Sequence, residues 1–208
     1  MKIWISLLVI YAGFFLWYTD IGGKLDEKEI EFFLGKLEEN ISKNSNSLDP
    51  ESYILIKRFM EEDSGRQFLM VNNIDMNDNP EDVEGAEPGE SAERLMDRYM
   101  EHMYSQLLKR ACHPIFAGSV IHPSMDLVGI EGAEIWDQAA LMRYKSRRAF
   151  MEVVTHPNML GKHDFKVAAL EKTIAYPVET DIYLSDPRFL LALILIILGL
   201  FLQNRVKQ

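Results

Sequence analysis

The sequence holds one cysteine, Cys112, so it closes no disulfide within the chain, and a disulfide scaffold is excluded. It has no phosphate loop, no GxGxxG, no Ser-His-Asp order and no His or Cys spacing suited to a metal ion. No catalytic residue, metal or cofactor is therefore expected. Basic residues are scarce where most of the chain lies. All 32 acidic residues fall between Asp20 and Asp186, whereas Lys2, Arg188, Arg205 and Lys207 lie outside, so the middle sets 18 basic against 32 acidic side chains, a net charge of −14. Such a surface repels phosphate backbones, which argues against nucleic acid as a partner, and it offers anionic lipid no attraction.

What the middle lacks in apolar runs, the ends supply. Ile3 to Tyr18 carries no charge and places Trp4, Trp17 and Tyr18 near its edges, where amphipathic rings favour a membrane interface. No small-x-small cleavage site follows it, so residues 1–20 read as an uncleaved signal anchor. Phe189 to Leu202 is a second apolar run with no polar face, short for a ~30 Å hydrocarbon core. Arg188 and Arg205 at its edges can snorkel, so residues 181–208 read as a second span and basic tail. With Lys2 before the first span and Arg205 and Lys207 after the second, the positive-inside rule places both termini in the cytoplasm. The expected location is the cytoplasmic membrane, with two spans and an extracytoplasmic central domain.

Between the spans, Leu25, Ile30, Phe33, Leu34, Leu37 and Ile41 recur at three and four residues over Lys24 to Ser42 and predict an amphipathic helix. Asn44 to Ser47 breaks it, and Asp49-Pro50 supplies a cap and first-turn proline for a second helix ending near Ser64. Residues 21–65 thus read as a helical hairpin or spacer.

Residues 66–180 read as the core domain. Gln67 to Ile74 suits a buried strand, and Asp75 to Glu90 a polar loop. Ser91 opens a helix that stops before Pro114. Pro114 to Ile121 and Glu134 to Tyr144 read as strands, with turns at His122 to Ser124 and Gly129 to Gly132. Ser146 opens another helix, a short helical piece spans Leu160 to Lys166, and Thr173 to Val178 returns as a strand. The order strand-helix-strand-strand-helix-strand predicts a four-stranded antiparallel sheet with helices on one face and an apolar face that needs a cover.

The run RYKSRR at Arg143 to Arg148, followed by Phe150, His156-Pro157 and AALEKTIAYPVE, resembles an uncharacterised bacterial family of ferredoxin-like domains in the dimeric α/β barrel superfamily, which also contains antibiotic-biosynthesis monooxygenase-like domains. The resemblance covers about Gln67 to Glu179. It implies that two sheets meet face to face, in a homodimer or with a homologous subunit, around a small apolar cavity. The expected class is then α+β, a ferredoxin-like βαββαβ domain of the dimeric α/β barrel type, with an N-terminal helical hairpin and a transmembrane helix at each end.

The candidate pocket residues are Arg143, Tyr144, Asn72 and Asp137. Arg143 and Asp137 share one face of an alternating strand, Tyr144 and Gln138 the other, so only one of Arg143 and Tyr144 can look into a barrel. If it faces the cavity, Arg143 with Asp137 would hold a carboxylate or enolate; otherwise it pairs with a local acid such as Glu171 or Glu179, and Asn72 either hydrogen-bonds a substrate of a cofactor-free oxygenase or satisfies the next turn. His113 and His122 stand ~30 Å apart if they bracket one strand and share no ion. Two functions remain. One is a membrane-anchored binding or assembly module, an accessory subunit of a larger complex, with the lipid bilayer, a second copy or other membrane subunits as partners. The other is a membrane-tethered cofactor-free oxygenase or isomerase acting on a small lipophilic molecule.

Overall fold

The computed structural model describes residues 2–44 and 50–207, so the break and cap expected at Ser45 to Asp49 lie outside the described residues. The chain divides into two units: 23–179, and 1–22 together with 180–208.

In the larger unit, α2 (Glu27–Asn44) and α3 (Pro50–Glu61) form the hairpin. They are followed by β1 (Phe68–Met76), α4 (Ala92–Lys109), β2 (His113–Ser119), β3 (Gln138–Tyr144), α5 (Arg147–Val154), a 3-10 turn (Pro157–Met159), α6 (His163–Ala168) and β4 (Leu170–Val178). The strands form one antiparallel sheet in the order β2-β3-β1-β4. Local chemistry sets the helix starts. Ser91 accepts from the Arg94 amide and Ser146 from the Ala149 amide, each satisfying a donor that the first turn leaves unpaired. The left-handed turn at Ala111 (φ 54°) ends α4, with the Cys112 amide bonded back to the Leu107 carbonyl.

Strand alternation assigns the two faces. Phe68 pairs with Tyr144 and Met70 with Met142, and these side chains pack with Met103 and Leu107 of α4 and Val153 of α5 in the main core. Helix α5 is buried from both sides, because Met151 and Val154 turn the other way, onto Leu25, Phe33, Leu34 and Met60 of the hairpin region. Polar pins hold the hairpin there: Arg148 grips Glu29 (Nε to Oε1 2.6 Å, Nη2 to Oε2 3.0 Å), Asp63 accepts from the Leu25 and Gly65 amides, and Asn40 donates to the Thr155 carbonyl.

In the smaller unit, α1 (Lys2–Tyr18) packs on α7 (Pro187–Lys207). The pair is antiparallel: Trp4 Nε1 donates to Gln203 Oε1 at one end (3.1 Å), and Arg188 Nη1 to Thr19 Oγ1 at the other (3.0 Å). Gly199 allows the contact, since a Cβ there would sit 2.6 Å from the Trp4 ring.

Two expectations are corrected. The chain is a four-stranded antiparallel sheet with seven α-helices among the described residues, not a ferredoxin-like βαββαβ unit flanked by two transmembrane helices. The stretch between β3 and β4 is broken into α5, the 3-10 turn and α6 by Pro157 and by Gly161 at φ 67°, and the hairpin adds a further layer on α5. The second correction is the location. Two spans with both termini cytoplasmic require two helices able to cross. Among the described residues only α7, over Pro187–Arg205 with mean hydropathy 1.9, is long and apolar enough. Helix α1 has 17 residues, ~26 Å at ~1.5 Å each, against a ~30 Å core. The charge rule then has no second span from which to infer both termini.

Candidate functional site

The four candidate pocket residues do not converge. Tyr144 faces the helices, 4% exposed, its ring stacked on Phe68 at 5.2 Å and edge-on to Phe150 at 5.0 Å. Burial pushes its phenol far above the ordinary tyrosine range. Arg143 has the opposite parity and is fully buried: Nε and Nη2 donate to Gln67 Oε1 (3.0 and 2.7 Å) and Nη1 to the Ala111 carbonyl (2.7 Å). Its guanidinium thus ties β3 to the start of β1 and to the end of α4. Asp137 stands six residues up the strand from Arg143, ~20 Å at ~3.3 Å per residue, and accepts from the Met76 amide at 2.7 Å. Asn72 donates to the Met70 carbonyl of its own strand. Each is committed to local structure.

Other reactive groups are similarly placed. Burial pushes the Cys112 thiol up, so it is a poor nucleophile. His113 and His122 bond the carbonyls of the prolines that follow them, and His156 caps the 3-10 turn. Among the described residues no group of three or more His, Cys, Asp or Glu side chains is placed to hold a metal ion. A cleft of 620 Å³ lies between α3, α5 and β4, floored by Ile56, Phe59, Met70, Phe150, Ala175 and Pro177. None of the four candidates lines it. Its Arg147 is tied to the Phe59 carbonyl, Glu179 and Asp63.

The feature that stands out is the other face of the sheet. By register, Phe116 and Leu141, Val71 and Tyr176, Ile174 and Val178 share it, a row running across all four strands. Phe116 is 52% and Tyr176 46% exposed, and within this unit the helices that build the core pack on the opposite face. Gly118 leaves room for the Phe116 ring, which a Cβ would approach to 3.2 Å. Both edge strands carry a proline, Pro114 in β2 and Pro177 in β4, and β2 has a bulge between Pro114 and Phe116. Prolines and bulges discourage edge-to-edge pairing, so association falls to the face.

The loop 120–137 borders that face at one end. Its two legs are tied together: Val120 and Asp137 close its base, the Ser124 amide and hydroxyl bond the Glu134 and Ala133 carbonyls, and Trp136 Nε1 also reaches Ala133. Lys172 of β4, on the open face and paired with Asp75, donates to the Gly132 carbonyl at 2.6 Å and lies over the Trp136 ring. Strand periodicity missed this loop. Expected strand residues from Glu134 to Asp137 belong to it, and Ile121, Met125, Val128, Ile130 and Ile135, which read as strand or turn, point outward.

Comparison with known protein families and with curated proteins finds no match. Solved structures do resemble it. A protein of unknown function from Rhodopseudomonas palustris, determined as a structural genomics target, aligns at 16% identity over 66% of this chain and 97% of its own, with a TM-score of 0.52. The methylated form of that protein aligns at 16% identity over 67% and 96%, again with a TM-score of 0.52. At that identity the likeness is one of fold alone.

Proposed function

We propose that this chain is a membrane-held binding and assembly module: α7 seats it in an apolar layer, and the open sheet face pairs with a second copy of the chain. The observation that carries the reading is the apolar row Phe116, Leu141, Val71, Tyr176, Ile174 and Val178 on a face bounded by two proline-bearing edges. Leaving aromatic and branched side chains in water forgoes ~1.5–3 kcal/mol for each one that a partner could bury. The resemblance of Arg143 to Arg148 and the residues after it to domains that meet sheet against sheet supports the same reading. For the anchor, α7 and α1 expose Leu8, Val9, Leu16, Ile194, Ile197 and Phe201 with no polar outer face, as lipid or an apolar protein surface requires.

The test is the mass of the full-length protein purified in mild detergent, with mass spectrometry of whatever co-migrates. A homodimer is expected, reduced to monomer by Phe116→Glu with Tyr176→Glu while the circular dichroism of the fold is kept. A monomeric wild type, or a stoichiometric second protein displaced by the same substitutions, would sink the second-copy reading.

A further inference from the structure

The sheet face alone is small for a stable pair. Four strands ~4.8 Å apart and about seven residues deep at ~3.3 Å give roughly 440 Å², little more than half of the ~800 Å² per partner that a standard interface buries. The loop 120–137 supplies what is missing. Ile121 is 96%, Met125 93% and Val128 85% exposed, with Ile130 and Ile135 also exposed, on a loop whose legs are tied together by Ser124 on one side and Ala133 and Glu134 on the other. A shaped loop that turns five apolar side chains outward is an interaction surface. Its charges are Asp126, Glu131, Glu134 and Asp137, with no Lys or Arg, so an anionic lipid surface repels it.

Resting on the reading of the sheet face as a contact between copies, we infer that the loop 120–137 is a dimerisation arm that packs against the same arm of the second copy. The chain's connections favour one way for the copies to run. The larger unit is entered at Gly23, so close to Gly65 that a Cβ on Gly65 would come 3.0 Å from the Gly23 carbonyl carbon. It is left at Glu179, which takes Ser64 and Arg66. Both points therefore lie at the end of the sheet where β1 begins. The arm is at the other end, after Ser119 pairs with Gln138 and Gln138 with Ile74. With both connections at one end of the sheet, a two-fold axis along the strands sets the connections of the two copies side by side and brings arm to arm. An axis across the strands would instead lay each arm over the partner's Arg66 and Lys145 end.

Cysteine cross-linking of the full-length protein in mild detergent reads this directly, with the fully buried Cys112 left in place. Val128→Cys is expected to form a disulfide-linked dimer on mild oxidation, and a mixture of Val128→Cys with Arg66→Cys no mixed dimer. Met125→Asp with Val128→Asp is expected to raise the dimer dissociation constant at least ~10-fold. A mixed Val128–Arg66 link, or an unchanged dissociation constant in a wild type that is dimeric, overturns the arm and leaves the sheet-face reading standing. A monomeric wild type overturns both.

Discussion

At the scale of single residues, burial rather than reactivity explains the polar groups inside the larger unit. Burial pushes Tyr99 up to about 12, and Tyr144 higher still. Both folded values exceed the ~10 of an unfolded tyrosine. The folded state therefore binds more protons than the unfolded chain above pH ~10, so the stabilisation is complete below that pH and is lost as pH rises through 12. In an alkaline titration followed by tyrosinate absorbance, Tyr99 and Tyr144 are expected to ionise last and together with loss of the fold. Their early ionisation in a folded protein, identified by Tyr99→Phe and Tyr144→Phe, would contradict the packing. Arg143 teaches the same lesson. Its place on an alternating strand was legible in the sequence, but not that Gln67 and Ala111 would take its guanidinium, because those partners come together only when α4 and β1 meet at one end of the sheet.

Among the elements, what was legible follows from local chemistry. Ser91 and Ser146 announce α4 and α5, and Pro157 announces the break after α5. Where tertiary contacts decide, the sequence is silent. Nothing in its periodicity says that Met151 of α5 turns to the hairpin while Val153 turns to the sheet. Ile121 and Ile135, at the two ends of the loop 120–137, imitate strand residues until their exposure is known. The helix pair is a further case: a helix apolar on every side has no stripe to show which side meets a partner. Gly199 marks that side. A methyl there would sit 2.6 Å from the Trp4 ring, so Gly199→Ala is expected to separate α1 from α7 and break the Trp4–Gln203 hydrogen bond. Tryptophan fluorescence checks this against Gly13→Ala, where a Cβ meets nothing within 4 Å. Equal spectra for the two variants would show that the close contact is not made.

For the molecule as a whole, the net charge of −10 opposes any pairing of copies, and the arm adds its own carboxylates to that repulsion. The dimer dissociation constant is therefore expected to fall as salt rises from ~0.05 to ~0.5 M, since screening shortens from more than ~10 Å to less than ~5 Å. An analytical ultracentrifugation series that found weaker pairing at high salt would mean that ion pairs, not apolar side chains, hold the copies together. The antiparallel helix pair also sets a timetable. Helix α1 leaves the ribosome before α7, on the order of 170 residues earlier, which at ~5–20 residues per second is roughly 10–35 seconds. Throughout that interval Leu7 and Trp4 have no Gly199 to pack against, so every newly made chain must lend its first helix to another apolar host and then recover it.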